Sequence, residues 1–194
     1  MGWDGSQFDG LRAHIDNLVT PTLRGRTLDA MVDEAAAHVH DGDLLGGVSM
    51  GAAVSLAYAA RPDARCSAIA LIAPAGGDDA RRYLDWLADT LESGGFDALR
   101  AAGEPLVDMW ESRFGRDHLL ALWRTRPFVD VAAVRVPSVV VAWRGDGVHP
   151  WDEAASVAAQ LDAPLVEVPA PTSTDLPAAE ITAAIAPLLR FSSP

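Results

Sequence analysis

The chain has 194 residues, of which 49% are hydrophobic and 22% are charged. This composition is typical of a globular domain with a buried core, and it excludes a disordered or collagen-like chain. Acidic residues outnumber basic ones 27 to 15, and every basic residue is an arginine. A formal charge of -12 without a basic run argues against nucleic acid or an anionic membrane as a partner.

The cysteine count and the N-terminus bear on the compartment. A single cysteine, Cys66, excludes an internal disulfide and a CxxC redox pair, so a reducing, cytoplasmic location is expected. Residues 1–5 have neither the basic nor the apolar stretch of a signal peptide. The longest uncharged run, residues 44–60, contains glycines and falls short of membrane-spanning length, so we predict a soluble protein.

Short apolar runs alternate with helical patterns, which predicts a parallel sheet covered by helices. A first strand is predicted over 17–23, where Pro21 suits only an edge strand or the end of a strand. Thr27 is the predicted N-cap of a helix whose apolar residues recur at helical spacing to Val39. The remaining predicted elements of the sheet layer are a strand over 43–48, a helix over 51–60, strands over 67–73, 138–143 and 165–168, and helices over 151–161 and 176–189.

The pattern changes between these elements. Residues 78–128 contain no strand-like run and have helical patterns broken near 93–95 and 103–105. We interpret them as a helical cap inserted into a core formed by residues 1–77 and 129–194. The predicted fold class is therefore α/β, with a parallel sheet of about five strands covered by helices.

A G-x-S-x-G motif occupies residues 47–51, with Ser49 at its centre. The motif is weak alone, but a buried strand runs into it and a helix of small residues follows. This strand–turn–helix context predicts a nucleophile elbow that exposes the serine above the sheet. We expect Gly47 and Gly51 to be required because a side chain at either position would collide with backbone. The alternative is a glycine-rich turn in which Ser49 only caps the helix.

These residues resemble the α/β-hydrolase superfamily. The resemblance covers the elbow, the helical cap and a late strand followed by Arg144-Gly145-Asp146-Gly147. It implies that Ser49 is the nucleophile and Asp146 the triad acid, although Gly-Asp-Gly is also good turn chemistry. It further implies an oxyanion hole from the N–H of Met50 and, if residues 2–5 are the family's early loop, of Trp3. An untethered tail is the alternative for Trp3, and the chain resembles an N-terminally shortened member.

The family's C-terminal histidine is not found. In residues 168–177, Ser173 stands where that histidine is expected, and a serine hydroxyl cannot act as the base. His149, followed by a proline, resembles the family's structural His-Pro before the next helix, with a catalytic role as the less favoured alternative. His118 in the cap is the least implausible substitute base, with an exposed helical histidine as the alternative.

The resemblance implies an enzyme that acts on a small-to-medium apolar ester, thioester or lactone. We expect Trp86, Trp110, Phe114, His118 and Trp123 of the cap to line the substrate pocket, with core packing as the alternative. The missing base keeps two other functions open: a non-hydrolytic cyclase or isomerase, and a catalytically silent ligand-binding protein. No metal or other cofactor is expected, since histidines and carboxylates do not cluster at ligand spacing. A homodimer is expected through an exposed sheet edge.

Overall fold

The computed structural model describes residues 6–74, 78–124, 131–171 and 176–191. Its strands in these ranges are β1 (Leu44–Val48), β2 (Ala68–Ile72), β3 (Ser138–Ala142) and β4 (Leu165–Glu167). They form one parallel sheet in the order β1-β2-β3-β4. The predicted α/β class with a parallel sheet is thus confirmed.

Seven α-helices and three short 3-10 helices accompany the sheet in the described ranges. The α-helices are α1 (Leu28–Ala36), α2 (Met50–Ala59), α3 (Asp78–Ala101), α4 (Val107–Arg113), α5 (Arg116–Arg124), α6 (Trp151–Leu161) and α7 (Ala178–Ile185). The 3-10 helices are Ser6–Ala13, Val131–Ala133 and Leu188–Arg190.

Local signals explain where several elements begin and end. Thr27 caps α1 as predicted, because its Oγ1 accepts a hydrogen bond from the Ala30 N–H at 3.2 Å. The last helix is shorter than predicted: α7 ends at Ile185, and Pro187, which has no N–H to continue an α-helix, opens a 3-10 turn.

The predicted first strand over 17–23 is wrong, and the sheet has four strands in the described residues rather than about five. Asn17 has a φ of 61°, which is left-handed backbone incompatible with a strand. Pro21 has no N–H to donate to a neighbouring strand. The segment is irregular from residue 18 to residue 25.

Both faces of the sheet are covered, as the continuous apolar character of its strands requires. On one face, Ile69, Leu71 and Val140 pack in a buried cluster with residues of α1, α2 and α6. On the other face, alternate strand residues such as Ala70 and Val141 pack with residues of α7 and the two terminal 3-10 helices.

The parallel register aligns the carboxyl ends of the strands. Val48 at the end of β1 pairs with Ile72 of β2, and Ile72 pairs with Val141 of β3. The residues that follow β1 and β3 therefore leave the sheet at the same edge. This edge holds the candidate site.

The segment between β2 and β3 is helical wherever it is described. Its helices α3, α4 and α5 share a buried cluster of their own. Within α3, Gly95 has a φ of 68° and a ψ of -164°, which divides the helix in two near the predicted break. The guanidinium of Arg116 donates to the Leu91 and Glu92 carbonyls just before this kink.

None of the helices in the described ranges is both long enough and apolar enough to cross a bilayer.

Leu122 of α5 is 1% exposed and packs in the sheet cluster that also contains residues of α2 and β2. Leu122→Ala would leave a cavity between the helical segment and the sheet, and we expect the free energy of unfolding to fall by about 2–5 kcal/mol. Urea denaturation measures the change. Leu189→Ala, at a position that is 37% exposed, is the matched control and should change the free energy little. Equal losses in both variants would contradict the assigned packing.

Candidate active site

Ser49 lies in a strained turn between β1 and α2. Its φ of 56° and ψ of -114° are a conformation that residues with a side chain rarely adopt. The turn is held in place because the Ser49 N–H donates to the Ile72 carbonyl at 3.0 Å and the Ser49 carbonyl accepts from Ala52 and Ala53. Strain of this kind is characteristic of functional positions, and the predicted strand–turn–helix geometry is present.

The two flanking glycines of the motif differ in their roles. A Cβ on Gly47 would lie 2.1 Å from the backbone carbon of Gly51, so no side chain fits there. A Cβ on Gly51 would meet nothing within 4 Å. The expectation of a collision is therefore correct for Gly47 and wrong for Gly51, because Gly51 faces open space at the start of α2.

A histidine side chain contacts the serine. His149 Nε2 lies 2.8 Å from Ser49 Oγ, although the two residues are 100 positions apart in the chain. His149 follows β3 and Ser49 follows β1, so the aligned carboxyl ends of these strands bring them together. Both residues are 6% exposed.

Asp146 completes a chain of three side chains. Its Oδ2 lies 2.9 Å from His149 Nδ1, and its Oδ1 accepts from the backbone N–H groups of Val148 and His149 at 2.8 and 3.0 Å. These backbone bonds curl the loop, so that the histidine three residues later folds onto its own aspartate. A carboxylate only accepts hydrogen bonds, so Nδ1 is the donor to Asp146, and Nε2 can accept from the Ser49 hydroxyl whenever it carries no proton itself.

The electrostatics of Asp146 favour its ionised form. Burial opposes the charge and would raise the pKa of this carboxyl, but the hydrogen bonds and charge of His149 and the backbone N–H groups outweigh it. The net effect is that the pKa of Asp146 is lowered from its ordinary value.

The expectation that no histidine lies beside Ser49 is wrong, because His149 contacts it. Ser173, at the position expected for the family's histidine, lies outside the described residues. The sequence did carry a usable signal: an Asp-x-x-His spacing directly after a strand, at the sheet edge that also carries Ser49. The resemblance points instead to the position after the last strand, where the family has its histidine.

The start of α2 supplies one candidate donor for an oxyanion. Met50 is the first residue of α2, where backbone N–H groups have no partner inside the helix and the helix dipole is positive. Trp3, the second predicted donor, lies outside the described residues.

The aromatic residues of the helical segment fall into two groups. Trp110 and Trp123 pack edge-to-face, with ring centroids 5.0 Å apart, inside the segment's own buried cluster. Their packing fits the alternative interpretation, in which these two residues form part of a core rather than line a pocket. Trp86 is 41% exposed and stacks on Tyr83, and Phe114 is half-buried and stacks on His118.

His118 has its own environment in α5. Burial and the nearby charge of Arg26 lower the pKa of its imidazole from the ordinary value. In the described part of the chain, the histidine that contacts Ser49 is His149 rather than His118. The same part of the chain contains no group of three histidine, cysteine or acidic residues that could hold a metal ion.

Solved structures share this architecture. An enol-lactonase from Burkholderia xenovorans LB400 is similar with a TM-score of 0.70 and 17% identity, over 95% of this chain and 86% of the other. The chain has the α/β-hydrolase fold. A thermophilic esterase from Thermogutta terrifontis matches with a TM-score of 0.64 and 16% identity over 97% and 86% of the two chains. An α/β-hydrolase from a Medee basin deep-sea metagenome library matches with a TM-score of 0.58 and 17% identity over 74% and 64%.

No family model and no curated protein sequence matches the chain. The likeness to α/β-hydrolases is therefore one of fold, and the chemistry must be argued from the side chains at the site.

The glycine difference gives a first test of the site. Gly47→Ala should prevent folding or cost several kcal/mol, because its methyl group would overlap the backbone of α2. Gly51→Ala should fold normally and gain about 0.5–1 kcal/mol, because alanine is the better helix former. Thermal unfolding measures both. A Gly47→Ala protein as stable as the parent would contradict the described turn.

The lowered pKa of Asp146 predicts a pH-dependent contribution to stability. The contribution is fully present above the unfolded value of 3.8 and is lost as the pH falls through the lower folded value. The difference in unfolding free energy between the parent and Asp146→Asn should therefore shrink between about pH 5 and pH 3. Urea denaturation across this range measures it. A difference independent of pH would show that Asp146 is not a buried carboxylate bonded to His149.

Proposed function

We propose that the protein is a serine hydrolase in which Ser49 is the nucleophile, His149 the general base and Asp146 the residue that orients and charge-stabilises the histidine. The carrying observation is the 2.8 Å contact between Ser49 Oγ and His149 Nε2, backed by the 2.9 Å contact between His149 Nδ1 and Asp146. These are the distances and roles of a nucleophile, a base and an orienting acid.

In the acylation step, the Ser49 hydroxyl proton passes to His149 Nε2 as Oγ bonds to the carbonyl carbon of the substrate. The carbonyl oxygen becomes an oxyanion beside the Met50 N–H and the positive end of α2. The intermediate then collapses, and the bond to the leaving oxygen or sulfur breaks. His149 returns the proton to that leaving atom, and the acyl group stays on Ser49.

In the deacylation step, a water molecule attacks the acyl carbon and His149 takes its proton. The bond from the acyl carbon to Ser49 Oγ then breaks, and the proton returns to Oγ. The products are a carboxylic acid and the regenerated serine. Asp146, held ionised by His149 and by its bonds to two backbone N–H groups, stabilises the imidazolium in both steps.

The substrate class rests on two observations. The exposed Trp86 and the half-buried Phe114 offer aromatic surface on the helical segment, which favours an apolar group. Two proteins of similar fold are an esterase and an enol-lactonase. We therefore propose a small-to-medium apolar ester, thioester or lactone as the substrate.

The alternatives, a non-hydrolytic cyclase or isomerase and a silent ligand-binding protein, were motivated by the absence of a base. The contact of His149 with Ser49 removes that motive. Hydrolysis is accordingly the function we favour.

Labelling with a fluorophosphonate tests the proposal. The parent protein should gain the mass of a single adduct, and Ser49→Ala should gain none. His149→Ala should slow labelling and the hydrolysis of a short-chain aryl ester by about 10⁴-fold, because the hydroxyl proton has no acceptor. Intact mass spectrometry and ester turnover are the measurements.

Two variants serve as matched controls. Ser93→Ala removes an exposed serine whose hydroxyl bonds to the nearby Thr90 carbonyl, and His40→Ala removes an exposed histidine that lies beside Asp43. Both should label at the parental rate. An unlabelled parent protein, or labelling that survives Ser49→Ala, would overturn the assignment of Ser49 as nucleophile.

A further inference from the structure

The loop that carries both Asp146 and His149 contains two glycines. We call residues 143–150 the acid–base loop. Gly145 has a φ of 77°, and a Cβ on either Gly145 or Gly147 would meet nothing within 4 Å, so no side chain packs against the loop at these positions. Glycine has the widest backbone freedom of any residue. The loop nevertheless has to hold two side-chain contacts of 2.8 and 2.9 Å at Ser49.

A contact between the two ends of the loop supplies a restraint. The guanidinium carbon of Arg144 lies 3.8 Å from the ring centroid of Trp151, close enough for a cation–π interaction. Arg144 is the second residue of the loop, and Trp151 is the residue that follows it and begins α6. The stack therefore closes the loop across the six residues that lie between the two partners.

Trp151 is itself anchored. It is half-buried and packs against the buried cluster that fills one face of the sheet, so the core supports the ring under Arg144. At the other end, Trp143 is buried in the cluster on the opposite face. The contact of Arg144 with Trp151 thus bridges the two ends of the loop, both of which lie against the core.

Arg144 has a second partner on β4. Its Nε donates to Glu167 Oε2 at 3.3 Å, with the side chains 61% and 53% exposed. An exposed ion pair of this length is screened by water and contributes little. Of the two contacts, the stack on Trp151 is the one expected to restrain the loop.

We propose that Arg144 and Trp151 are positioning residues that hold the acid–base loop in the geometry in which His149 reaches both Ser49 and Asp146. The expected change in kcat rests on the proposed function, whereas the expected restraint of the loop does not. Neither residue touches the reacting atoms. They act by keeping the loop in its productive conformation. Rates of acid–base chemistry are sensitive to small displacements of the side chains that transfer the proton.

The substitutions separate the stack from the ion pair. Arg144→Ala removes both contacts, Glu167→Gln removes only the ion pair, and Arg144→Lys keeps a cation near the ring. Trp151→Leu keeps an apolar side chain on the core but removes the aromatic face, whereas Trp151→Phe restores one.

If the stack positions the loop, Arg144→Ala and Trp151→Leu lower kcat about three- to tenfold with KM nearly unchanged. Trp151→Phe and Glu167→Gln stay near the parent, and Arg144→Lys falls between.

Combining the two losses gives a further requirement. The double variant Arg144→Ala/Trp151→Leu should be no slower than either single variant, since both remove the same contact. Losses that multiply, or a rise in KM at constant kcat, would overturn the proposal. So would an equal loss in Glu167→Gln and Arg144→Ala, which would assign the effect to the ion pair.

A second readout is independent of turnover. The proton shared by His149 and Asp146 should give a downfield NMR resonance that is sharp in the parent protein and in Trp151→Phe. It should be weakened or exchange-broadened in Arg144→Ala and Trp151→Leu, at a temperature where circular dichroism shows all four proteins folded. An unchanged resonance in Arg144→Ala and Trp151→Leu would overturn the positioning role. If the parent hydrolyses no ester and takes no label, the proposed function fails, and this resonance still decides the positioning role.

Discussion

The candidate site depends on the parallel register of the sheet. Because Val48, Ile72 and Val141 are aligned across three neighbouring strands, the segments after β1 and β3 emerge at one edge, close enough for side chains to touch. β2 lies between them and contributes the Ile72 carbonyl that fixes the Ser49 N–H. A shift in this pairing would move Ser49 relative to His149. The geometry of the site therefore depends on the backbone hydrogen bonds between the strands.

Hydrogen bonds within the acid–base loop then fix the positions of its aspartate and histidine side chains. Asp146 uses one carboxylate oxygen to hold two backbone N–H groups and the other to hold the imidazole of His149. Asp146 and His149, three residues apart, are thereby ordered in one turn, and burial strengthens the interaction between them. The proposed function departs from the implied family arrangement because its histidine lies in the same loop as the aspartate rather than in a separate C-terminal loop.

The helical segment between β2 and β3 is organised largely by itself. Trp110 and Trp123 belong to a buried cluster formed within the segment itself. Surface ion pairs, such as that of Arg100 with Asp108, connect its helices. Leu122 connects it to the sheet cluster. A segment with its own core can present aromatic residues such as Trp86 at its surface without the sheet having to support them.

The sequence alone determined the elements whose signals are local. Alternating apolar runs predicted β1 to β4, Thr27 marked the start of α1, and the glycine–serine motif located the turn at Ser49. The strand predicted over 17–23 failed because hydrophobicity does not report the left-handed backbone of Asn17. The Asp-x-x-His spacing is visible in the sequence, but only the tertiary structure shows that His149 contacts Ser49, 100 residues away. The physical reason is that this contact depends on strand order, register and the curl of one loop, which are set by packing of the whole chain rather than by neighbouring residues.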